Sequence, residues 1–351
     1  MRGIHYPLMH APTRVALALL AVTVLTIPGT LQAESELPFP DVAATDPAFD
    51  AITALKVSGI IQGYRDGSFR PEHIVTRAEA VKMIVTVTVK EADLKKLTTS
   101  PYTDIPADAW HLPFVEAARK ILGILDGPPQ TMQFHPERSV NLSEFLKILE
   151  LAYGVDPQSA FSDLRMPLAS DLRDTGIWHY PYLRYALASS MIRANGEGFL
   201  HPEEHLTRGK VALLLYRYSM FREGRRLQAL AATVENEIQR MEHLLAADQT
   251  SDALLASARA VLASRGALTA APNNEHVKSW VKLAEGFHTA AQGEDALEQK
   301  KFDEALRLAG DAWHLAAKAL EFDLSQSALS KRLQALSTLI ADAARAKKKG
   351  A

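Results

Sequence analysis

Arg77 in "TRAE" and Arg208 in "TRGK" each stand at the start of an apolar helical pattern. A cation at a helix N-terminus opposes the macrodipole, so neither arginine has a local stabilising reason to be there. Such a placement invites a functional explanation, and a guanidinium's planar fork of donors is the group best shaped to meet a carboxylate. Trp110 and Trp178 open two other helical patterns and can offer a flat apolar face or anchor a core. Asp41, Asp104 and Asp163 recur in "FPDV", "YTDI" and "FSDL", where a carboxylate suits a ligand contact, a turn start or a helix cap. Gly63 and Gly67 in "GYRDGSFRP" suit positive φ or a close backbone approach.

Other chemistry is weaker. "HPEEH" at 201–205 fits a zinc-peptidase pattern, in which two histidines four apart on a helix bind the metal. Here His201 and Pro202 share the register of "RP" at 70 and "HP" at 135, and the helix begins only near Arg208, so the imidazoles would not share a helical face. There is no GxSxG elbow or P-loop, and "RDGSF" has too few carboxylates for an EF-hand loop. The expectation is a protein with no catalytic residues, no metal and no cofactor. A formal charge of -2 and 7% aromatic residues give no signature for nucleic acid. Zero cysteines exclude disulfides and thiolate metal sites.

The elements that carry these residues repeat. "PAFDAITALKVSGII" (47–61), "WHLPFVEAARKILGI" (110–124) and "WHYPYLRYALASSMI" (178–192) are helix patterns, each preceded by an aspartate motif. A turn-rich stretch follows each and ends at Pro71, Pro136 or Pro202, and six residues later Arg77, Leu142 or Arg208 opens a second helix. Thr76 with Glu79 and Asn141 with Glu144 form capping boxes, whereas Thr207 faces Lys210 and keeps half of one. The second helix of one unit exposes an apolar face, so three units are expected to stack and complete one another's cores.

Upstream, Arg2 and Arg14 precede the apolar run "VALALLAVTVLTI" (15–27), and "LQA" ends at Ala33, the layout of a secretory signal peptide. The run is shorter than the ~20 residues a membrane-spanning helix needs, so no transmembrane segment is expected once the leader is cut. Downstream of about residue 225, Leu227, Leu230, Val234, Ile238, Met241 and Leu244 give one apolar helical face. "GALTAAPNN" (266–274) reads as a linker, and "WVKLAEGF" (280–287) with "KKFDEALRLAGDAWHLAAKAL" (300–320) as an extended helical hairpin with weak tetratricopeptide-like character. The expected layout is signal peptide 1–33, repeats 34–98, 99–158 and 159–224, and a C-terminal helical bundle 225–351. With 351 residues and 47% hydrophobic content, more than one core is within reach.

"FPDV", "AITALKVSGIIQGYRDGSFRPEHIVTRAE" and their two echoes resemble S-layer homology repeats, the modules by which bacterial surface proteins attach to the cell envelope. The resemblance implies an all-α fold: a pseudo-threefold bundle of helix–loop–helix repeats whose grooves bind a cell-wall polysaccharide, often one capped by a pyruvate ketal. It implies that Arg77 and Arg208 hold the ligand carboxylate, with Trp110, Trp178, Asp41, Asp104, Asp163 and Gly63 as further ligand-binding residues. The chain departs from the pattern in three places. Pro47 replaces a tryptophan, Leu142 replaces the motif arginine, and the third repeat reads as if a residue were inserted between Phe199 and Pro202, after a longer opening "RMPLASDLRDTG". One or two working grooves are expected rather than three. The resulting expectation is an exported, non-enzymatic protein of the cell surface whose C-terminal bundle serves structure or a protein partner. The alternatives are an interaction scaffold with degenerate repeats and a surface enzyme with its activity in the C-terminal half.

Overall fold

A computed structural model describes residues 37–125 and 132–350. The expected leader lies outside these residues. Among the described residues, regular structure is helical, with isolated bridges and no sheet. The repeat region contributes α1 (Phe49–Val57), α2 (Arg77–Thr88), the short α3 (Glu91–Leu94), α4 (Leu112–Lys120), α5 (Leu142–Ala152), α6 (Tyr180–Ala188) and α7 (Arg208–Arg222). The remainder is α8 (Leu227–Ala246), α9 (Thr250–Ala270), α10 (Glu275–Glu298), α11 (Phe302–Phe322) and α12 (Ser327–Gly350). No described helix is long and apolar enough to cross a membrane.

The repeats close into a ring. α2 packs on α4, α5 on α6, and α7 on α1, so each second helix meets the first helix of the next unit. At the centre the Val75 N–H donates to Leu206 O, Leu206 N–H to Val140 O, and Val140 N–H back to Val75 O, at 2.9, 3.1 and 3.1 Å. Three antiparallel bridges, Ile74 to Thr207, Thr76 to Ser139 and Asn141 to His205, flank this triangle.

Helix N-termini are satisfied across the repeat boundaries. Arg77 and Ala78 donate N–H to Arg138 O and Pro136 O, Leu142 and Ser143 to Glu204 O and Pro202 O, and Arg208 and Gly209 to His73 O and Pro71 O. Six otherwise orphaned donors are thereby paired. This explains the small second residue of each helix: a Cβ at Gly209 would already lie 3.2 Å from Pro71 O. The two capping boxes form as the sequence indicates, and Thr207 caps Lys210 N alone.

The outer face of the third repeat is covered by the C-terminal region. α9 lies on α6 so closely that a Cβ at Gly266 would overlap the Ala188 carbonyl. Buried Arg259 pairs with Glu237 through two 2.8 Å bonds and donates to Leu168 O at 2.8 Å. Arg226 donates to Ser190 O, and Arg240 to Asn195 O and Gly196 O. The repeats therefore complete one another's inner faces, and α8 and α9 complete the outside of the third. The expected linker at 266–274 is helical up to Ala270, with only a short turn before α10. Ala290, Ala291, Ala305, Ala309, Ala312 and Ala316 are buried along α10 and α11, a small-residue seam that lets the hairpin approach closely.

Candidate functional site

Each repeat ends its loop in the same way, and an aspartate holds that end. Asp41 accepts from Phe69 N and Arg70 N at 2.8 and 2.6 Å, and Asp104 from Phe134 N and His135 N at 2.9 and 2.7 Å. In the third repeat that task falls to Asp171, which accepts from Leu200 N and His201 N at 3.0 and 2.8 Å. Asp163, expected as a ligand-binding residue alongside Asp41 and Asp104, does not hold this loop; it pairs at 2.7 Å with Arg265 of α9. After the opening "FSDL" comes a second aspartate motif, "ASDL" at 169–172, in which Leu172 N donates to Ala169 O as Val42 N donates to Phe39 O.

The residue each aspartate restrains, Arg70, His135 or His201, has φ of 58°, 59° or 54° and precedes a proline. These non-glycine left-handed positions are strained, and the two carboxylate hydrogen bonds hold them there. The third loop contains no inserted residue. Tyr64 N donates to Ser68 O and Asn195 N to Phe199 O, so Leu200, not Phe199, takes the place of Phe69. Gly63 does not have positive φ; a Cβ there would lie 2.7 Å from Phe39 Cε1 and 2.8 Å from Ser68 O, so close packing requires the glycine. Gly67 does adopt positive φ, at 81°. His201 lies in its loop and His205 in a bridge, both ahead of α7, so "HPEEH" has no common helical face.

Three interfaces result, and they differ. Between repeats one and three, Arg208 is only 9% exposed, with its guanidinium 5.0 Å from the Tyr64 ring and 4.7 Å from Phe69. Its Nη2 donates to Gln62 O at 2.7 Å, while Nε is buried without a partner. Tyr64 donates to Glu79 at 3.1 Å and carries Arg70 on its ring at 4.2 Å. Between repeats one and two, Arg77 lies 5.0 Å over Phe134, and its Nε is likewise buried and unpartnered. Burial, and for Arg77 also the neighbouring Arg138, lowers the proton affinity of these guanidiniums, a cost that a bound anion would offset. Asp104 and Trp110 belong to this interface, and Lys82 of α2 sits 5.3 Å over the Trp110 ring.

The interface between repeats two and three has Leu142 in place of the arginine, and Leu200 in place of the aromatic. The aromatic pairs, Phe39 stacked on Phe69 and Tyr102 tilted against Phe134, become Ala169 and Leu200. Polarity is reversed as well: His73 faces Glu79 and Arg138 faces Glu144, whereas here Glu204 faces Lys210. Trp178 borders this interface, with Lys147 6.0 Å over its ring. Both tryptophans are 50% exposed, which removes the core-anchor reading. The arginine set and the tryptophan set therefore coincide only between repeats one and two. Tyr64, Phe69, Phe134 and Lys82 were not singled out from the sequence; the signal for Phe69 and Phe134 was an aromatic two residues before the loop proline, and for Lys82 its place five residues after Arg77.

A model described as the S-layer homology domain matches residues 38–81. Residues 38–81 form an S-layer homology domain. Over a longer stretch the chain is similar to the surface-layer 125 kDa protein of Lysinibacillus sphaericus, 30% identical over 173 residues, which are 48% of this chain and 14% of that protein. It is also similar to the S-layer protein sap of Bacillus anthracis, 30% identical over 132 residues, or 36% of this chain and 16% of the relative. The amylopullulanase of Thermoanaerobacterium thermosulfurigenes is 25% identical over 170 residues, 48% of this chain and 9% of the relative. The chain spans less than a fifth of each of these proteins. The S-layer homology domain and these similarities place the chain at the cell surface, outside the cytoplasm.

Proposed function

We propose that the ring of S-layer homology repeats anchors this protein non-covalently to an acidic cell-wall polysaccharide through two grooves, and that the chain is not an enzyme. The observation that carries the reading is a pair of guanidiniums, Arg208 buried and Arg77 half-buried, each laid on an aromatic ring at a repeat interface with a buried Nε that no protein group satisfies. An unpaired buried donor is costly, and an anionic ligand, such as a carboxylate on a pyruvylated sugar, is its natural complement. The groove between repeats one and two adds Trp110 as an apolar platform for a sugar ring, and the groove between repeats one and three adds Tyr64. The third interface has neither the guanidinium nor the aromatic pair and serves as the joint to α8 and α9.

The C-terminal bundle offers structure or a docking surface for a protein partner. Its serine–histidine neighbourhoods do not suit nucleophilic catalysis. Ser257 is fully buried against His288, whose proton affinity burial pulls down to about 4, with Gln292 rather than a carboxylate at its other nitrogen. Ser325 donates to Asp323, and not to His276.

The test is sedimentation of the full mature chain with purified wall polymer. Arg77→Gln and Arg208→Gln should each weaken binding about 10- to 100-fold at their own groove, and together bring it close to background. Unchanged binding by the double variant, with helicity intact, defeats the reading in favour of a scaffold that does not bind glycan.

A further inference from the structure

The first helices of repeats two and three begin with a histidine sealed beneath the loop of the same repeat. His111, the N-cap of α4, is 6% exposed and neither ring nitrogen is hydrogen-bonded. His179, the N-cap of α6, is 4% exposed, and its Nδ1 lies 3.8 Å from Glu203 without a hydrogen bond. The first repeat has Ala48 at the same place, so the ring contains its own control. Each imidazole meets the preceding indole edge-on, at 5.1 Å for Trp110 and 5.2 Å for Trp178.

The charged groups around each histidine come from three directions. Facing His111 are Glu137 from the loop and Asp104 from the opening turn, with His135 beside Asp104. Facing His179 are Glu203 and Asp171. From the neighbouring second helices, Lys82 and Lys147 stand over the two indoles. Burial lowers the proton affinity of both imidazoles, and the carboxylates offset only part of it. Their position at a helix N-terminus further disfavours a positive charge.

We propose that His111 is an acid-sensitive latch on the groove between repeats one and two: its protonation releases the loop that Asp104 holds, so this groove lets go of its ligand in mildly acidic surroundings while the Arg208 groove keeps hold. The proposal rests on the reading of both grooves as glycan sites. The closed loop resists a proton that the released loop accepts at the ordinary histidine value of 6.5, so closure is fully favoured above that pH and weakens as the pH falls through it. The Arg208 groove responds differently. Its loop covers Ala48 rather than a histidine, and its own His73 is exposed, 3.4 Å from Glu79. His179 lies under the third loop, away from both guanidinium grooves.

The experiment isolates one groove at a time in the full mature chain and measures binding to purified wall polymer at pH 7.5 and 5.0. With Arg208→Gln, only the His111 groove remains, and its affinity should fall roughly 3- to 10-fold at the lower pH. With Arg77→Gln the affinity should change by less than about twofold, and Arg208→Gln combined with His111→Ala should be equally flat. Equal pH profiles for the two single variants, or persistence of the drop without His111, overturn the latch. A second readout needs no glycan. Hydrogen-exchange protection of the Phe134 and His135 amides should fall at pH 5.0 relative to Phe69 and Arg70, and His111→Ala should abolish the difference. If neither single variant binds at pH 7.5, the glycan reading fails, and the exchange measurement alone supports or refutes the latch.

Discussion

Asp163 and Asp171 show how a residue's neighbours, rather than its motif, assign its work. Both follow a short apolar or aromatic opening, but only Asp171 holds two loop N–H groups, and Asp163 pairs with Arg265 on the surface. Asp171→Asn should weaken both loop hydrogen bonds at a strained position and lower stability by ~1–2 kcal/mol, whereas Asp163→Asn should stay within about 0.5 kcal/mol. Thermal unfolding of the two variants checks this, and equal losses would return the loop role to Asp163. Neither change should alter wall binding in the way Arg77→Gln does. The arginines stand out in the sequence because a cation at a helix start contradicts local preference, and the structure places both at repeat interfaces. The aromatic under each guanidinium was not, because a phenylalanine before a loop proline carries no sign of what will lie on it.

Within the elements, the second helices were the most readable part of the chain. Thr76 with Glu79, and Asn141 with Glu144, marked their starts through cap chemistry that needs only four consecutive residues. The first helices begin two residues later than their apolar patterns, because Ala48, His111 and His179 act as N-caps without a capping side chain. Thr76→Ala removes the hydroxyl that accepts from the Glu79 N–H, while the Glu79 carboxylate keeps the backbone N–H of residue 76, so it should cost ~1 kcal/mol. Thr207→Ala, in a helix with no glutamate half to remain, should cost at least as much; urea unfolding would show the order, and a clearly smaller loss would mean that the glutamate's half of the box adds nothing once the hydroxyl is gone. What local pattern did not carry was the linker at 266–274. Its alanines and threonine continue α9, and only Pro272 and the two asparagines break it, a case of helix propensity outlasting turn-like composition.

Across the whole molecule, the threefold stacking was legible from the repeat spacing, but the partnership of the third repeat with α8 and α9 was not, since it depends on arginines that look like ordinary surface charges. Arg226, Arg240 and Arg259 satisfy carbonyls of the third repeat, and Gly266 admits α9 against Ala188. A chain ended at residue 224 should therefore melt at lower temperature than the full chain and expose apolar surface to a dye such as ANS. Gly266→Val should push α9 off α6 with a loss of ~1–3 kcal/mol. A truncated chain that melts with the full chain would show that the ring stands alone. The triangle of Val75, Val140 and Leu206 has a consequence in time. Its closure joins the first repeat to the third across the full length of the second, a non-local contact of the kind that folds late. Thr76 and Arg77 can meet the second repeat early, but the pocket around Arg208 does not exist until the third repeat arrives. A chain that emerges N-terminus first thus builds its two proposed grooves in two stages, a first that can form on nascent sequence and a second that certifies that the ring has been completed.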